Sequence, residues 1–468
     1  MEDVLLIYPP ILEVPANKNS ERLYYLLSKY SKKIGFFGLS SNVDALVPPV
    51  ALLSIAQYLK ERGYTVNVLD LIIEEREGKN PYNVLKNYLK NINPQIVGIS
   101  AMEMCLEPLV LKIVDIVKNF NQNIKVVLGG VNASSKSDYF LSKEGIDFIV
   151  HGEGEKTFFK LCEALNKRSS LKEINGISYK RKNKIFRNPG VQSLKPEEIP
   201  SPDRDIYPFE RLYKLNGGRD LIYTSRGCPY NCSFCNAPQF WNRQWKGRKI
   251  EKIIEELKVV KNKGANIVHF WDLNFGTNKE WVEKLCSAIK NEDIEIQWDC
   301  ELRISDMSQS FLDVISSSGC RGAYCGIESS KQSLLNDTNK GYSINDLEKT
   351  LKKASKNGIT VEGGYVIGLP GDNTSSIKKT NKLSEKLFEK DLSIPLHFLF
   401  IPFKGTAIGD NPSYYGIKII NNNPMHFHFI SPRPIASTKF ISAEKVYKLW
   451  EEGEKKLIKI AEKKLDIR

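Results

Sequence analysis

Short apolar runs alternate with helix-patterned segments twice along this chain, and that alternation limits what it can fold into more than any other feature. The first series reads VLLIY, TVNVLDLI, IVGIS, KVVLGG and FIVHG, separated by segments such as LLSIAQYLKERG and PLVLKIVDIVKNF. The second reads LIYTS, NIVHFWD, IEIQWDCEL, GAYCGIES, TVEGGYVIG and LHFLFIP. Strand, helix, strand in repetition predicts α/β architecture with parallel sheets covered by helices. The first series predicts a doubly wound parallel sheet, whose ligands lie beyond the C-terminal ends of the strands. Between the two, GISYKRKNKIFRNPG reads as a hairpin and EEIPSPDRDIYPFE as a proline-punctuated connection. The expected division is residues 1–167, a linker with a hairpin at 168–219, a second body at 220–404 and a C-terminal extension with a helical segment at 405–468.

A chain of 468 residues has room for two or three domains and a sizeable core. No run of eighteen apolar residues occurs, and MEDVLLIYPP is acidic and enters a strand directly, so neither a membrane span nor a signal peptide is expected and the reading is cytoplasmic. The net charge of +13 raises the question of a nucleic-acid partner. Lysines interleaved with Glu, Asp and Asn, as in KIEKIIEELKVVKNKG, read instead as solvated helix faces. Six of the nine cysteines (Cys105, Cys162, Cys286, Cys300, Cys320, Cys325) are scattered through periodic segments, as buried thiols of a reducing compartment are.

The other three, Cys228, Cys232 and Cys235, fall within eight residues of the stretch SRGCPYNCSFCNAPQFW. At this cysteine frequency such a triplet arises by chance on the order of a few times in a thousand chains of this length. Structural zinc takes four ligands, usually in two pairs, and no second pair follows nearby. A ferredoxin-type cluster also takes four cysteines, at other spacings. Three thiolates on a four-iron cluster leave one iron open, and an open metal position marks a catalytic site. Gly227 and Pro229 break any helix around Cys228, so the cysteines sit on a loop at the C-terminal end of the strand LIYTS.

CxxxCxxC with Phe234 before the last cysteine resembles the radical S-adenosylmethionine (SAM) superfamily. The resemblance implies a 4Fe-4S cluster on the three cysteines, the methionine end of SAM on the fourth iron, and Phe234 near the adenine. Along about 190 residues DLNF, the ELR around Arg303, GIES, IGLPGD and IPFKGT resemble motifs of that family's partial (β/α)6 barrel, whose site lies at the C-terminal strand ends. By that resemblance SAM contacts fall to Arg303 and Glu328, with Asp272 at a turn or behind the first contacts, and Gly363, Gly364 and Gly368 admit the adenine. Arg303 and Glu328 also suit a plain ion pair at the barrel mouth, and the glycines suit barrel bends.

The N-terminal order YPP, PPVALLSIAQYLKERGYTVNVLD, GIS, VVLGG, GEGE resembles the cobalamin-binding domain that precedes the barrel in one subclass of the superfamily. It implies cobalamin contacts at Ser100, Ala101, Met102, Gly129, Gly130, Val131, Gly152 and Glu153. The same residues also suit the turns any such sheet needs. Many such domains supply a histidine below the cobalt; this chain has none before His151, and the aligned stretch SNVDALVPP offers only Asp44. Residues 9–49 read as an unusually long connection, a functional lid or interface segment. His426 and His428 are expected to share one face of a strand, and EKVYKLWEEGEKKLIKIAEKKL forms an amphipathic helix over the barrel's flank.

The resemblance implies a cobalamin-dependent radical SAM enzyme that methylates an unactivated carbon of a small-molecule, lipid or peptide substrate. Cob(I)alamin takes a methyl from one SAM; a second SAM, given an electron by a donor such as flavodoxin or ferredoxin, yields the 5′-deoxyadenosyl radical that abstracts substrate hydrogen. The alternative is ring formation, rearrangement or oxidation on the same architecture. No catalytic acid or base is identified. Methylthiolation needs three further cluster cysteines, and the N-terminal segment offers Cys105 and Cys162 alone.

Overall fold

The computed structural model describes residues 3–11, 13–35, 46–181 and 184–467. Asp44 lies outside the described residues. The chain forms two compact units, one of residues 1–14 and 48–215, the other of 15–47 and 216–468.

The first unit is built on one seven-stranded sheet. Strands β1 (Asp3–Tyr8), β2 (Thr65–Asp70), β3 (Ile96–Ser100), β4 (Lys125–Gly129) and β5 (Phe148–Val150) pair in parallel in the order β2-β1-β3-β4-β5. All five residues of β3 are buried, as a central strand covered on both faces requires. The order reverses between β1 and β3, and ligands of such sheets bind at that switch point. The hairpin of β6 (Ile177–Arg181) and β7 (Lys184–Arg187) does not stand apart in a linker: it continues the sheet, with β6 antiparallel to β5. Ile177, Ser178 and Tyr179 are buried there while Lys180 and Arg181 run out into solvent. The apolar core includes Leu5, Ile7, Val97, Ile99, Val110, Val126, Leu128 and Ile149.

The second unit carries six parallel strands in the order β15-β14-β13-β12-β11-β8. These are β8 (Arg219–Ile222), β11 (Ile267–Phe270), β12 (Gln297–Leu302), β13 (Cys320–Glu328), β14 (Thr360–Ile367) and β15 (Ile394–Leu399), the six runs read from the sequence. Two short antiparallel ladders complete the set: β9 (Ser225–Gly227) with β10 (Trp245–Gly247), and β16 (Ile417–Ile419) with β17 (Ala436–Thr438).

The segment expected to be a long loop contains the helix Lys18–Lys33, N-capped by Asn17. Leu23, Tyr24, Leu26, Leu27 and Tyr30 pack with Ile394 and Leu396 of β15, Tyr324 and Phe398, and with Leu457, Ile458 and Ala461 of the C-terminal helix Ala443–Lys464. Side chains alternate between sheet faces. The register therefore puts Ile394, Leu396, Glu362, Gly364, Tyr324 and Glu301 on one face, and the helix closes that face at the open edge of the partial barrel. Asn17 donates to Tyr447 Oη at 2.7 Å and Glu451 Oε1 at 2.9 Å, which ties the helix start to the C-terminal helix. The strand expected through His426 and His428 is absent. Pro424–His426 is a single 3-10 turn, because Pro424 removes a ladder donor. His426 Nδ1 meets Asn421 Nδ2 at 2.9 Å and His428 Nε2 meets the Pro15 carbonyl at 2.8 Å, so the two rings serve separate contacts.

Candidate active site

The cysteines occupy a loop closed at its base by the β9–β10 ladder, where Gly227 pairs with Trp245. Gly227 has φ +84°, and a Cβ there would lie 2.0 Å from the Gln244 carbonyl oxygen, so only glycine lets the chain turn into Cys228. The entry to the loop is held by Asp272. Its carboxylate accepts the backbone N–H of Thr224 at 2.8 Å and of Ser225 at 2.9 Å, the Ser225 hydroxyl at 2.8 Å and the Thr224 hydroxyl. It is 1% exposed. This carboxylate is spent on the loop: it stands behind the site, as a support, and not among side chains free to meet a ligand. Burial raises its pKa, and the four donors pull the other way.

Cys228, Cys232 and Cys235 are all free and half-buried. Burial lifts the Cys228 thiol and pushes Cys235 up to about 12. Two cations offset that. Arg303 points Nη1 at Cys232 Sγ, 3.4 Å away, and its guanidinium lies 3.8 Å from the Tyr230 ring centre. Its backbone N–H donates to Asn274 at 3.1 Å and Nη2 donates to the Lys340 carbonyl. The Arg303 Nε–H is buried and has no partner among the described residues.

Glu328 pairs with Lys340 Nζ at 2.9 Å rather than with Arg303. Glu328 itself holds φ +65°, a strained conformation for a side chain of this size, at the register shift that ends β13. Lys340 is nearly buried, and its charge is held by Glu328 and by the Cys232 sulfur against the opposing effect of burial. It reaches within 5.9 Å of the Phe234 ring, which packs against Leu369, Phe400, Ile408 and Ile417. The loop that carries Lys340 is stitched to the cysteine loop: Asn339 Nδ2 donates to the Asn231 carbonyl at 3.0 Å, and Ser233 N–H to the Thr338 carbonyl at 3.4 Å. Sequence reasoning missed Lys340. Its signal was the turn TNKG, where Asn339 and Gly341 both have positive φ and thrust the lysine between them.

The three glycines lie on or just beyond β14, and protein fills the space they leave. A Cβ at Gly363 would meet Ser393 Oγ at 2.5 Å, and one at Gly364 would meet the Tyr324 hydroxyl at 2.3 Å. Gly368, at φ +96°, starts a turn whose N–H groups are collected by Asp372. Among the described residues no three His, Cys, Asp or Glu side chains gather closely enough to hold a single ion. A four-iron cluster engages each thiolate at a different iron. Three half-buried thiols with two cations beside them fit such a cluster, whose ligands are anionic sulfurs.

In the first unit the ends of β3 and β4 come together. Ala101 N–H donates to the Gly129 carbonyl at 2.7 Å, and a Cβ on Gly130 would strike Met102 Sδ at 2.8 Å and the Ala101 carbonyl at 3.0 Å. Ser100 and Ala101 are buried, Met102 is 45% exposed, and Val131 opens a short helix. Beside Gly129 the nearest atom to an added Cβ is 4.0 Å away, so a ligand can approach the backbone closely at this strand end, the kind of access a B12-binding sheet needs. Gly152 and Glu153 differ. Val191 sits 2.2 Å from where a Gly152 Cβ would be, and Glu153 accepts from Ser193 Oγ at 2.6 Å and Leu194 N–H at 3.2 Å. The β5 end is thus covered by the chain's own residues 191–194.

A partial parallel barrel with three thiols on the loop after its first strand, in one chain with a sheet of β2-β1-β3-β4-β5 order, defines a class. The Radical SAM superfamily profile matches residues 222–383 and the B12 binding domain profile matches residues 38–161. The chain thus carries a radical SAM domain together with a B12-binding domain. An uncharacterized methyltransferase of Pyrococcus horikoshii is 29% identical over 411 residues, 86% of each chain. The anaerobic magnesium-protoporphyrin IX monomethyl ester cyclase of Rubrivivax gelatinosus is 25% identical over 351 residues, 72% of this chain and 62% of the cyclase. Among solved structures, the radical SAM methyltransferase TsrM from Kitasatospora setae with cobalamin and a 4Fe-4S cluster bound aligns at a TM-score of 0.72 and 17% identity, over 98% of this chain and 89% of TsrM, a likeness of fold. No helix among the described residues is long and apolar enough to cross a membrane.

Proposed function

We propose that the chain is a cobalamin-dependent radical SAM methyltransferase that adds a methyl group to an unactivated carbon of a small-molecule, lipid or peptide substrate. The observation that carries this reading is the three-cysteine loop with Arg303 and Lys340 set against Cys232, in a chain that also has a B12-binding domain. When bound, the cluster and SAM supply hydrogen abstraction and cobalamin supplies the methyl group. The chain's own residues position and neutralise. Asp272 fixes the loop that presents the thiolates, and Arg303 and Lys340 balance their charge in a half-buried setting where it weighs more than in water. The unpartnered Arg303 Nε–H is a donor for the carboxylate of SAM, the Glu328–Lys340 pair faces its polar end, and Phe234 offers an apolar surface to the adenine. In the first unit Ser100, Ala101, Met102, Gly129, Gly130 and Val131 hold cobalamin, with Gly152 and Glu153 shaping the neighbouring turn. A low-potential one-electron donor, a flavodoxin or ferredoxin, completes the system.

The test is product stoichiometry. Anaerobic turnover of the cluster- and cobalamin-loaded protein with methyl-labelled SAM is expected to yield one S-adenosylhomocysteine and one 5′-deoxyadenosine per labelled product. 5′-Deoxyadenosine without S-adenosylhomocysteine would reject methyl transfer in favour of a ring-forming or oxidising reaction, the kind of activity that the cyclase relative's name describes.

A further inference from the structure

The segment between the third cysteine and the strand that returns to the first forms a wall beside the cysteine loop. Cys235 leads into the short helix Ala237–Phe240, and residues 241–244 turn the chain back into β10, which pairs with β9 just ahead of Cys228. Both ends of this wall touch the loop. The Ala237 N–H donates to Cys235 Sγ at 3.4 Å, and Arg243 Nε donates to the Pro229 carbonyl at 3.4 Å, one residue beyond Cys228. Elsewhere the loop is engaged by the protein: Cys232 faces Arg303, Phe234 packs against Leu369 and Phe400, and Asn231 is bonded to Asn339. The wall instead turns Gln239, Asn242, Arg243 and Gln244 out to solvent.

Its composition is that of a contact surface. No Asp or Glu occurs from Arg226 to Lys249, in a chain that has 55 of them. Phe240 and Trp241 stand edge to face, ring centres 5.2 Å apart, and both are partly exposed. Aromatic residues and arginine are enriched where proteins meet, and lysine, aspartate and glutamate are depleted. Asn242 and Arg243 both hold left-handed backbone, at φ +48° and +54°. Asparagine tolerates that region, but arginine has no preference for it, and such conformations gather where function demands them. Here the turn sets the Arg243 guanidinium outside the wall, with no carboxylate paired to it among the described residues. An unpaired cation on a neutral, partly aromatic surface selects a negatively charged surface and rejects a basic one. Electron tunnelling weakens steeply with distance, so a donor to a cluster on these cysteines has to touch the protein beside them.

We propose that the wall from Asn236 to Gln244, centred on Arg243, is the docking surface for an acidic one-electron donor protein of the flavodoxin or ferredoxin kind. This rests on the reading of the chain as a radical SAM enzyme. With flavodoxin, the anionic flavin hydroquinone is oxidised to the neutral semiquinone and its one electron passes to the cluster, with no bond formed between the proteins. One arginine and two rings cover little area, which suits a transient redox encounter of less than about 1,200 Å².

The experiment mixes cluster-loaded full-length protein with flavodoxin hydroquinone, or separately with reduced ferredoxin, in anaerobic stopped flow and follows cluster absorbance. Calorimetric titration gives the affinity for the oxidised donors. The wild-type rate should fall steeply as salt rises from about 0.05 to 0.5 M, because screening removes the attraction. Arg243→Glu is expected to slow reduction and weaken donor binding about tenfold at low salt. Trp241→Ala should weaken binding several-fold, and Arg243→Lys, which keeps the charge, should stay within about threefold of wild type. Arg181→Glu, the same charge reversal on the exposed end of β6, is the control and should also stay within about threefold. Photoreduced deazaflavin, a small neutral reductant, should reduce every variant at the wild-type rate. Iron content reports any variant whose loop is disturbed, and Arg243→Ala replaces Arg243→Glu where the latter loses iron. Equal rates in wild type and the Arg243 variant, or an equal loss in Arg181→Glu, overturn the proposal. So does a wild-type protein reduced by deazaflavin but by neither donor protein. A chain that takes up no iron–sulfur cluster sinks the functional reading instead.

Discussion

The barrel mouth and the strand ends of the N-terminal sheet are both rich in the residues a ligand site needs, but they have disposed of them differently. In the barrel, the buried Arg303 Nε–H is left without a partner among the described residues, beside the cysteine loop. In the sheet, Glu153 is bonded to Ser193 and Leu194, Gly152 is capped by Val191, and Asp70 accepts from the Tyr207 hydroxyl at 2.6 Å and the Ile72 N–H at 2.8 Å. At the end of β4, by contrast, an added Cβ on Gly129 would meet nothing nearer than 4.0 Å, and Asn132 Oδ1 and Ser134 Oγ just beyond it are buried without a partner among the described residues. Polar groups that are spent stabilise the fold, and those held in reserve mark where a ligand completes it.

This contrast breaks first at the cysteines. Cys232→Ala is expected to abolish cluster absorbance and 5′-deoxyadenosine formation, whereas Cys105→Ala and Cys325→Ala, both buried thiols, should retain them; retained SAM cleavage in Cys232→Ala would remove the barrel from the comparison. Asp272→Ala should come next. With four donors at the loop entry left unmatched, iron bound per chain should drop several-fold while the sheet of the first unit keeps its cobalamin. In the first unit the expectation splits in two: Gly129→Val should empty the cobalamin site with little loss of stability, and Glu153→Gln should keep cobalamin but destabilise by about 1–3 kcal/mol. Cobalamin retention in Gly129→Val and its loss in Glu153→Gln would invert the assignment of open and covered edges.

The smallest effect is a pH dependence. Burial raises Asp70 from 3.8 to about 6, so the folded state holds a proton that the unfolded state gives up earlier. Its contribution to stability is complete below about pH 4, declines through that window and is lost above about pH 6. Asp70→Asn should flatten the slope of urea unfolding free energy between those values; an unchanged slope would show that Asp70 is not the group responsible.

Much of this was legible because local pattern carried it. The eleven parallel strands announced themselves by apolar runs bounded by turns, and the cysteine loop by spacing alone. What escaped was decided by distant partners. Nothing near residues 18–33 signals that Leu23 and Leu27 meet Leu457 and Ala461, so the stretch read as a loop. The hairpin at 177–187 showed its turn but not the edge of β5 that it joins. Lys340 reads as one surface lysine among many until Glu328 and Cys232 are placed beside it. His426 and His428 misled because alternation was assumed where Pro424 forbids a ladder.

The helix Lys18–Lys33 has a consequence for biogenesis. Ser20 donates to Glu454 across 434 positions of sequence, so this helix completes its packing only when the far later helix Ala443–Lys464 has been made. Until then the apolar side chains of Leu23, Leu26 and Leu27 remain in water, a state that invites aggregation or chaperone capture during translation. That packing step is accordingly expected to wait for synthesis of the helix Ala443–Lys464, and an expression fragment that starts at residue 48 should be insoluble although it contains every barrel strand.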